Sequence, residues 1–214
     1  MIELYEFGLS GNCHKVRLLL SLLGIEYDSR MLNGAEREQK TAEFLDYNPF
    51  GQVPVLKDDD IIIRDSQAIL VYLARAYGAD DWFPVDAKKA ALVTEWLSTA
   101  ANEIAHGPGA LRLHYKFGRE INIAEAARVS DTVLKVLDKH LVKNDWLATG
   151  TITIADIAVY PYIALAHEGK VDLTPFIYIR NWLGRIEMLS GYAAMPGIKS
   201  SNSKYKVEVS NVSA

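Results

Sequence analysis

Three clusters of residues carry groups able to do chemistry. Ser10-Gly11-Asn12-Cys13 sets a hydroxyl, an amide and the chain's one thiol side by side. Asn48-Pro49-Phe50-Gly51-Gln52-Val53-Pro54 comes next, and Asp65-Ser66 begins eleven residues after Pro54. A hydroxyl at the start of a helix can donate to an anion that the helix N–H groups and dipole also attract. Ser10 fits that task, and it fits equally the plainer one of capping the helix. Asn12 offers a donating amide with the same two readings. A helix N-terminus would also depress the pKa of Cys13, although a lone free cysteine is commonly a core residue. Asp65 can hold a cation, and Ser66 at a helix start can hold an anion. Val53, the residue before Pro54, offers a free backbone N–H and C=O.

The elements that must position these groups follow from pattern. Residues 2–7 read as a strand with Ile2 and Leu4 on one face. Residues 12–23 read as a leucine-faced helix stopped by Gly24. A second strand spans 25–31, and an amphipathic helix 35–45 ends before Asn48-Pro49. Residues 53–56 and 61–64 flank Asp58-Asp59-Asp60 as a hairpin. Ser66 reads as the N-cap of a helix running to Tyr77 and closed by Gly78. The order βαβ followed by αββα is that of a thioredoxin-like domain, 1–78. Residues 79–86 read as a linker of Gly, Asp and Pro. An all-helical domain, 87–199, follows. It has one long helix over 88–115 interrupted by Gly107-Pro108-Gly109, a second over 123–141, a third opened by the capping box Thr153-Ile154-Ala155-Asp156, and a fourth over 175–189. Residues 200–214 form a polar tail, within which 205–209 alternate as an extended segment would.

Bulk composition limits the function classes. The 214 residues are 50% hydrophobic and 23% charged, as a packed globular chain requires. A net charge of −4 without a basic run argues against nucleic acid as partner. One cysteine permits no internal disulfide and no cysteine-rich metal site, and it suits a reducing, cytoplasmic setting. The N-terminus lacks the basic region and cleavage site of a signal peptide. No apolar run reaches the ~20 residues of a membrane span.

In this order and spacing, the three clusters resemble the glutathione-binding half of the cytosolic glutathione S-transferases. The resemblance extends over about residues 1 to 197, more weakly in the second half, where Trp96 and the Thr153/Asp156 box carry it. It implies an α/β thioredoxin-like N-terminal domain plus an all-α C-terminal helical domain. It also implies an enzyme that binds glutathione as co-substrate, without a metal, and turns its thiol on a small electrophile. Ser10 lies where theta-like and phi-like members carry a catalytic serine, and Ser10-x-Asn12 resembles the Thr-x-Asn corner of nu-like members. A thiol of pKa about 8.5 needs roughly 2.7 kcal/mol to drop two units. One charge-assisted hydrogen bond supplies about 1.5–3 kcal/mol, and a helix N-terminus roughly 0.3–2. A serine at that corner is therefore sufficient without a general base.

The resemblance also assigns the peptide site. A cis Val53-Pro54 bond would turn Val53 outward to pair with the cysteinyl backbone as an added strand. Asp65 would take the γ-glutamyl ammonium and Ser66 its carboxylate. Gln52 would reach the glycyl or γ-glutamyl end. Lys40 would pair with the glycyl carboxylate, beside Gln39 where family members often have histidine. Tyr5 stands where other classes carry a catalytic tyrosine, and here it is expected to line the pocket for the second substrate with His106, Arg112 and Tyr115. Ser10-x-x-Cys13 looks like a redox pair whose nucleophile has become serine. Phe50 is expected to insert into a partner subunit, making a homodimer. Two other readings stay open: glutathione-dependent disulfide reduction through Ser10 and Asn12, and a non-catalytic binding or regulatory protein.

Overall fold

A computed structural model describes residues 1–199; the polar tail expected over 200–214, with its alternating 205–209, lies outside the described residues. The first half contains β1 (Ile2–Glu6), α1 (Gly11–Leu22), β2 (Asp28–Met31), α2 (Ala42–Tyr47), β3 (Val55–Asp58), β4 (Ile61–Arg64) and α3 (Ser66–Ala76). The sheet order is β2-β1-β3-β4, with β1 parallel to β2 and antiparallel to β3. Ile2, Leu4 and Glu6 of β1 point inward, as a period of two dictates. Leu4 and Leu56 of the sheet and the leucine and isoleucine faces of α1 and α3 form the core between them.

Four local boundaries differ from the sequence pattern. The Ile25 N–H turns back to Leu20 O (2.9 Å) to close α1, so β2 pairs only from Asp28. The helix expected over 35–45 is broken. A 3-10 turn covers Glu38–Lys40, and Thr41, in extended backbone, restarts the chain as α2 by accepting the Phe44 N–H (3.3 Å). The strand expected from Val53 begins at Val55. Asp65, not Ser66, caps α3. Its Oδ1 accepts from Gln67 N (2.9 Å) and Ala68 N (3.2 Å), which makes Ser66 the first helical residue.

The second half is helical: α4 (Ala87–Ala101), α5 (Ala110–Phe117), α6 (Ile123–Leu141), α7 (Ile154–Ala164) and α8 (Ile177–Glu187). A π-turn at Ala105–Gly109 separates α4 from α5, where Pro108 denies the helix a donor. A Cβ on Gly107 would lie 3.0 Å from Ser130 N, so glycine is what lets α6 approach there. α7 is almost wholly buried and lies against both α1 and α4. Its capping box is complete: buried Asp156 accepts from Thr153 N (3.0 Å), Leu147 N (3.0 Å) and Trp182 Nε1 (2.9 Å). Trp96 and Trp182 are core residues. Among the described residues no helix is long and apolar enough to cross a membrane.

Candidate active site

β1 leads the chain to the corner where α1 begins. Ser10 has extended backbone, and its Oγ accepts the Cys13 N–H at 3.2 Å. That bond uses a lone pair of the hydroxyl, and its proton remains able to donate, with the Cys13 sulfur within its reach. One turn of α1 further in, Cys13 is fully buried, and burial pushes its thiol up to about 11. A thiol held protonated and inaccessible cannot act as a redox nucleophile.

Asn12 faces the loop before β3. With Asn48, Phe50, Gln52, Val53, Pro54, Arg64, Asp65 and Ser66 it lines one small cleft. The Val53-Pro54 bond is cis. Among the described residues neither the N–H nor the C=O of Val53 has a hydrogen-bond partner outside the sheet ladders, and β3 does not begin until Val55. Such a bare backbone segment is a site where an extended peptide can pair. The loop behind it is held by Asn48, only 4% exposed. Its Nδ2 donates to Gln52 O (2.7 Å) and its Oδ1 accepts from Phe50 N (3.1 Å). Gly51, at φ 56°, fits where a Cβ would strike Gln39 O at 2.6 Å.

Asp65 has φ 74°, a left-handed backbone that costs a non-glycine residue about 1–3 kcal/mol. Ser66 beside it is buried, and its hydroxyl donates to Gln67 Oε1 (3.0 Å). Lys40 is engaged locally: its Nζ donates to Phe50 O (2.8 Å). Phe50 itself is 61% exposed, with the Arg64 guanidinium 4.8 Å from its ring centre.

The four side chains expected to line a second-substrate pocket lie on three elements: Tyr5 on β1, His106 in the π-turn, and Arg112 and Tyr115 together on α5. Tyr5 alternates out of the core face and packs with Phe44 and Tyr47 of α2, and burial pushes its hydroxyl up to about 12. His106 is exposed; its Nδ1 lies 2.9 Å from Asn102 O, and its neighbours are Glu125, Arg128 and Val129 of α6. Tyr115 lies at the surface under Lys170, 4.2 Å from its ring centre. Arg112 is 2% exposed, and its Nε is 2.6 Å from Glu168 Oε2.

Four residues of this region were given no site role from the sequence, although Asn48 opens one of its clusters. Arg64 and Asn48 line the cleft. Tyr162 of α7 lies against Gly11, where a Cβ would come within 2.9 Å of the ring, so the second half of the chain reaches the α1 N-terminus. Burial pushes the Tyr162 hydroxyl up to about 12, so it remains a donor. Lys15 of α1 is 1% exposed beside that ring. The glycine in the first turn of α1 was the available signal for Tyr162, since a missing side chain there marks a close approach.

Comparison with known proteins agrees with this geometry. Residues 9–76 match the glutathione S-transferase N-terminal domain and residues 88–188 the glutathione S-transferase C-terminal domain. A relative named glutathione S-transferase Z1, from Arabidopsis thaliana, is 32% identical over 182 residues, 82% of each chain. The structure of a glutathione S-transferase from Xanthobacter autotrophicus Py2 superposes with a TM-score of 0.85 at 28% identity, covering 92% of this chain and 98% of that one. A glutathione transferase homologue from Drosophila mojavensis, solved with bound glutathione, gives 0.80 at 28% identity over 88% of each. With both halves matched in order, and with the cis proline, the acidic-serine pair and the serine corner in one structure, the chain belongs to the glutathione S-transferase family.

Proposed function

We propose that this protein is a serine-type glutathione transferase that works as a cytoplasmic homodimer on small electrophiles. The observation that carries the reading is the single cleft joining Asn12, the bare backbone of Val53, and Asp65-Ser66. Glutathione would lie extended along Val53, its γ-glutamyl ammonium at Asp65 and its α-carboxylate at Ser66 and the α3 N-terminus. Gln52 is near enough in the loop to meet the peptide's polar ends, whereas Lys40 must first leave Phe50 O to meet the glycyl carboxylate. The cysteinyl sulfur then falls at the α1 N-terminus, where the Ser10 hydroxyl proton is able to donate. The thiol gives its proton to solvent. The thiolate forms a carbon–sulfur bond to the electrophile, and the leaving group departs with its electron pair.

A second reading is glutathione-dependent disulfide reduction. Asn12 favours it, because that amide lines the cleft directly. There one glutathione thiolate attacks a disulfide sulfur and a thiolate leaves. Calorimetry with glutathione, followed by turnover assays on aryl halides, hydroperoxides and hydroxyethyl disulfide, tests both. Conjugation of an aryl halide is expected. Binding with turnover of the disulfide alone would favour reduction, and no measurable binding would overturn both readings.

A further inference from the structure

Lys15 of α1 is a cation carried into the interior. It is buried to 1% exposure. Among the described residues its ammonium forms no ion pair or hydrogen bond; the one charge felt there is Asp65, at a distance. Its Nζ lies over the Tyr162 ring, 5.5 Å from the centre. A cation–π contact offsets less than desolvating an ammonium costs.

The direction of the side chain adds to that cost. Helical side chains slope back toward the N-terminus, so the Lys15 stem covers the turn holding Gly11 and Asn12. The Tyr162 ring touching its ammonium also presses on Gly11. The charge is thus delivered to the N-terminal end of α1, where the helix dipole is already positive. No acidic residue stands in the first turn to neutralise either. Burial lowers the ammonium's pKa to about 8, against the pull of Asp65, so it is still mostly charged at neutral pH. The groups facing it are Asp65 before α3 and Tyr162 of α7, with the Arg112 charge of α5 reaching Tyr162 from behind. A buried cation and a helix N-terminus converge on one point, and among the described residues Asp65 is the one anion whose charge reaches that cation.

We propose that the Lys15 ammonium is a positioning charge for the bound peptide's sulfur, stabilising the thiolate from beneath the α1 N-terminus. This rests on the glutathione reading above. The thiol proton leaves to solvent, and Lys15 neither gives nor takes it. Ser10 supplies the directional hydrogen bond and Lys15 the field. When the cleft is empty, Asp65 holds the ammonium's field in check; once the peptide's own ammonium neutralises Asp65, that field acts on the sulfur.

The test uses the full chain and three variants: Lys15→Met, Lys15→Arg and Lys15→Gln. The pH titration of thiolate absorbance in the glutathione complex should shift upward by about one unit in Lys15→Met and Lys15→Gln, that is, about tenfold less thiolate at neutral pH. Lys15→Arg, which keeps the charge, should titrate like wild type. Affinity for S-methylglutathione, which has no thiol to ionise, should change less than about twofold in all three. Lys15→Met should unfold at a temperature equal to or above wild type, since it removes a desolvated charge. An unshifted titration in Lys15→Met overturns the proposal. So does an equal loss of S-methylglutathione affinity, which would move the charge to a carboxylate. A lowered unfolding temperature with an unshifted titration would make Lys15 a structural cation–π partner only. Failure of wild type to bind glutathione at all is a different result and removes the reading beneath the proposal.

Discussion

In the proposed reading, Asp65 divides its two oxygens between two tasks. Oδ1 caps α3 through Gln67 N and Ala68 N, which leaves Oδ2 for a ligand cation. Asp65→Asn keeps the cap and loses the charge, so glutathione affinity should fall by roughly 2–3 kcal/mol with stability near wild type. Asp65→Ala should lose the same affinity and about 1 kcal/mol of stability as well. Calorimetry and urea unfolding read the two effects separately, and an Asp65→Asn protein with wild-type affinity would remove the assignment. Ser10, Val53, Asp65 and Ser66 stood out in sequence because each is tied to a local chain event: a helix start at Ser10 and at Asp65-Ser66, and a proline after Val53. The strand period, with Ile2 and Leu4 inward, sends Tyr5 to the opposite face, against α2. Arg112 and Tyr115 follow a π-turn, whose extra residue rotates every later side chain by about 100° and defeats extrapolated helical phase. Lys15 and Tyr162 meet across the two halves of the chain, and Gly11 marks a close approach there without naming the partner.

α1 and α7 pack together, and each buries an ionisable group with the opposite response to acid. His14 of α1 is fully buried with both ring nitrogens unpartnered, and burial lowers its pKa to about 3. Its unfolded value near 6.5 is higher, so the unfolded chain binds more protons and stability is lost as pH falls below about 6.5. Asp156 of α7 is pushed up to about 6 by burial. Its native form holds the proton more tightly than the unfolded chain, so its contribution grows as pH falls through 6 and is complete below about 4. His14→Leu should therefore lose less stability than wild type between pH 7 and pH 5, and Asp156→Asn should lose more. Urea unfolding at both pH values measures this; variants that parallel wild type would contradict it. Helices and strands were legible from period and caps. Their boundaries slipped where the backbone supplied an unforeseen partner, as at Ile25, or where Thr41 restarted a helix.

The whole molecule is a sheet-and-helix half carrying the cleft at Val53 and Asp65-Ser66 and a helical half that reaches the α1 N-terminus through Tyr162. Phe50 remains outside that packing, and a side chain of its size at 61% exposure fits a partner's surface. Phe50→Asp should turn a homodimer into monomers at low micromolar concentration, since a charge in an apolar interface costs several kcal/mol by the ~2–7 scale for buried polar groups. Sedimentation decides it, and a variant as dimeric as wild type would rule out that role. The central claim is that the serine corner of α1 holds bound glutathione as a thiolate. The direct measurement is thiolate absorbance of the glutathione complex against pH, in wild type, Ser10→Ala, Asn12→Ala and Tyr5→Phe. Ser10→Ala should raise the thiol pKa by about one to two units, Asn12→Ala by less, and Tyr5→Phe should leave it unmoved. A curve that shifts in Tyr5→Phe and stays fixed in Ser10→Ala would contradict the account.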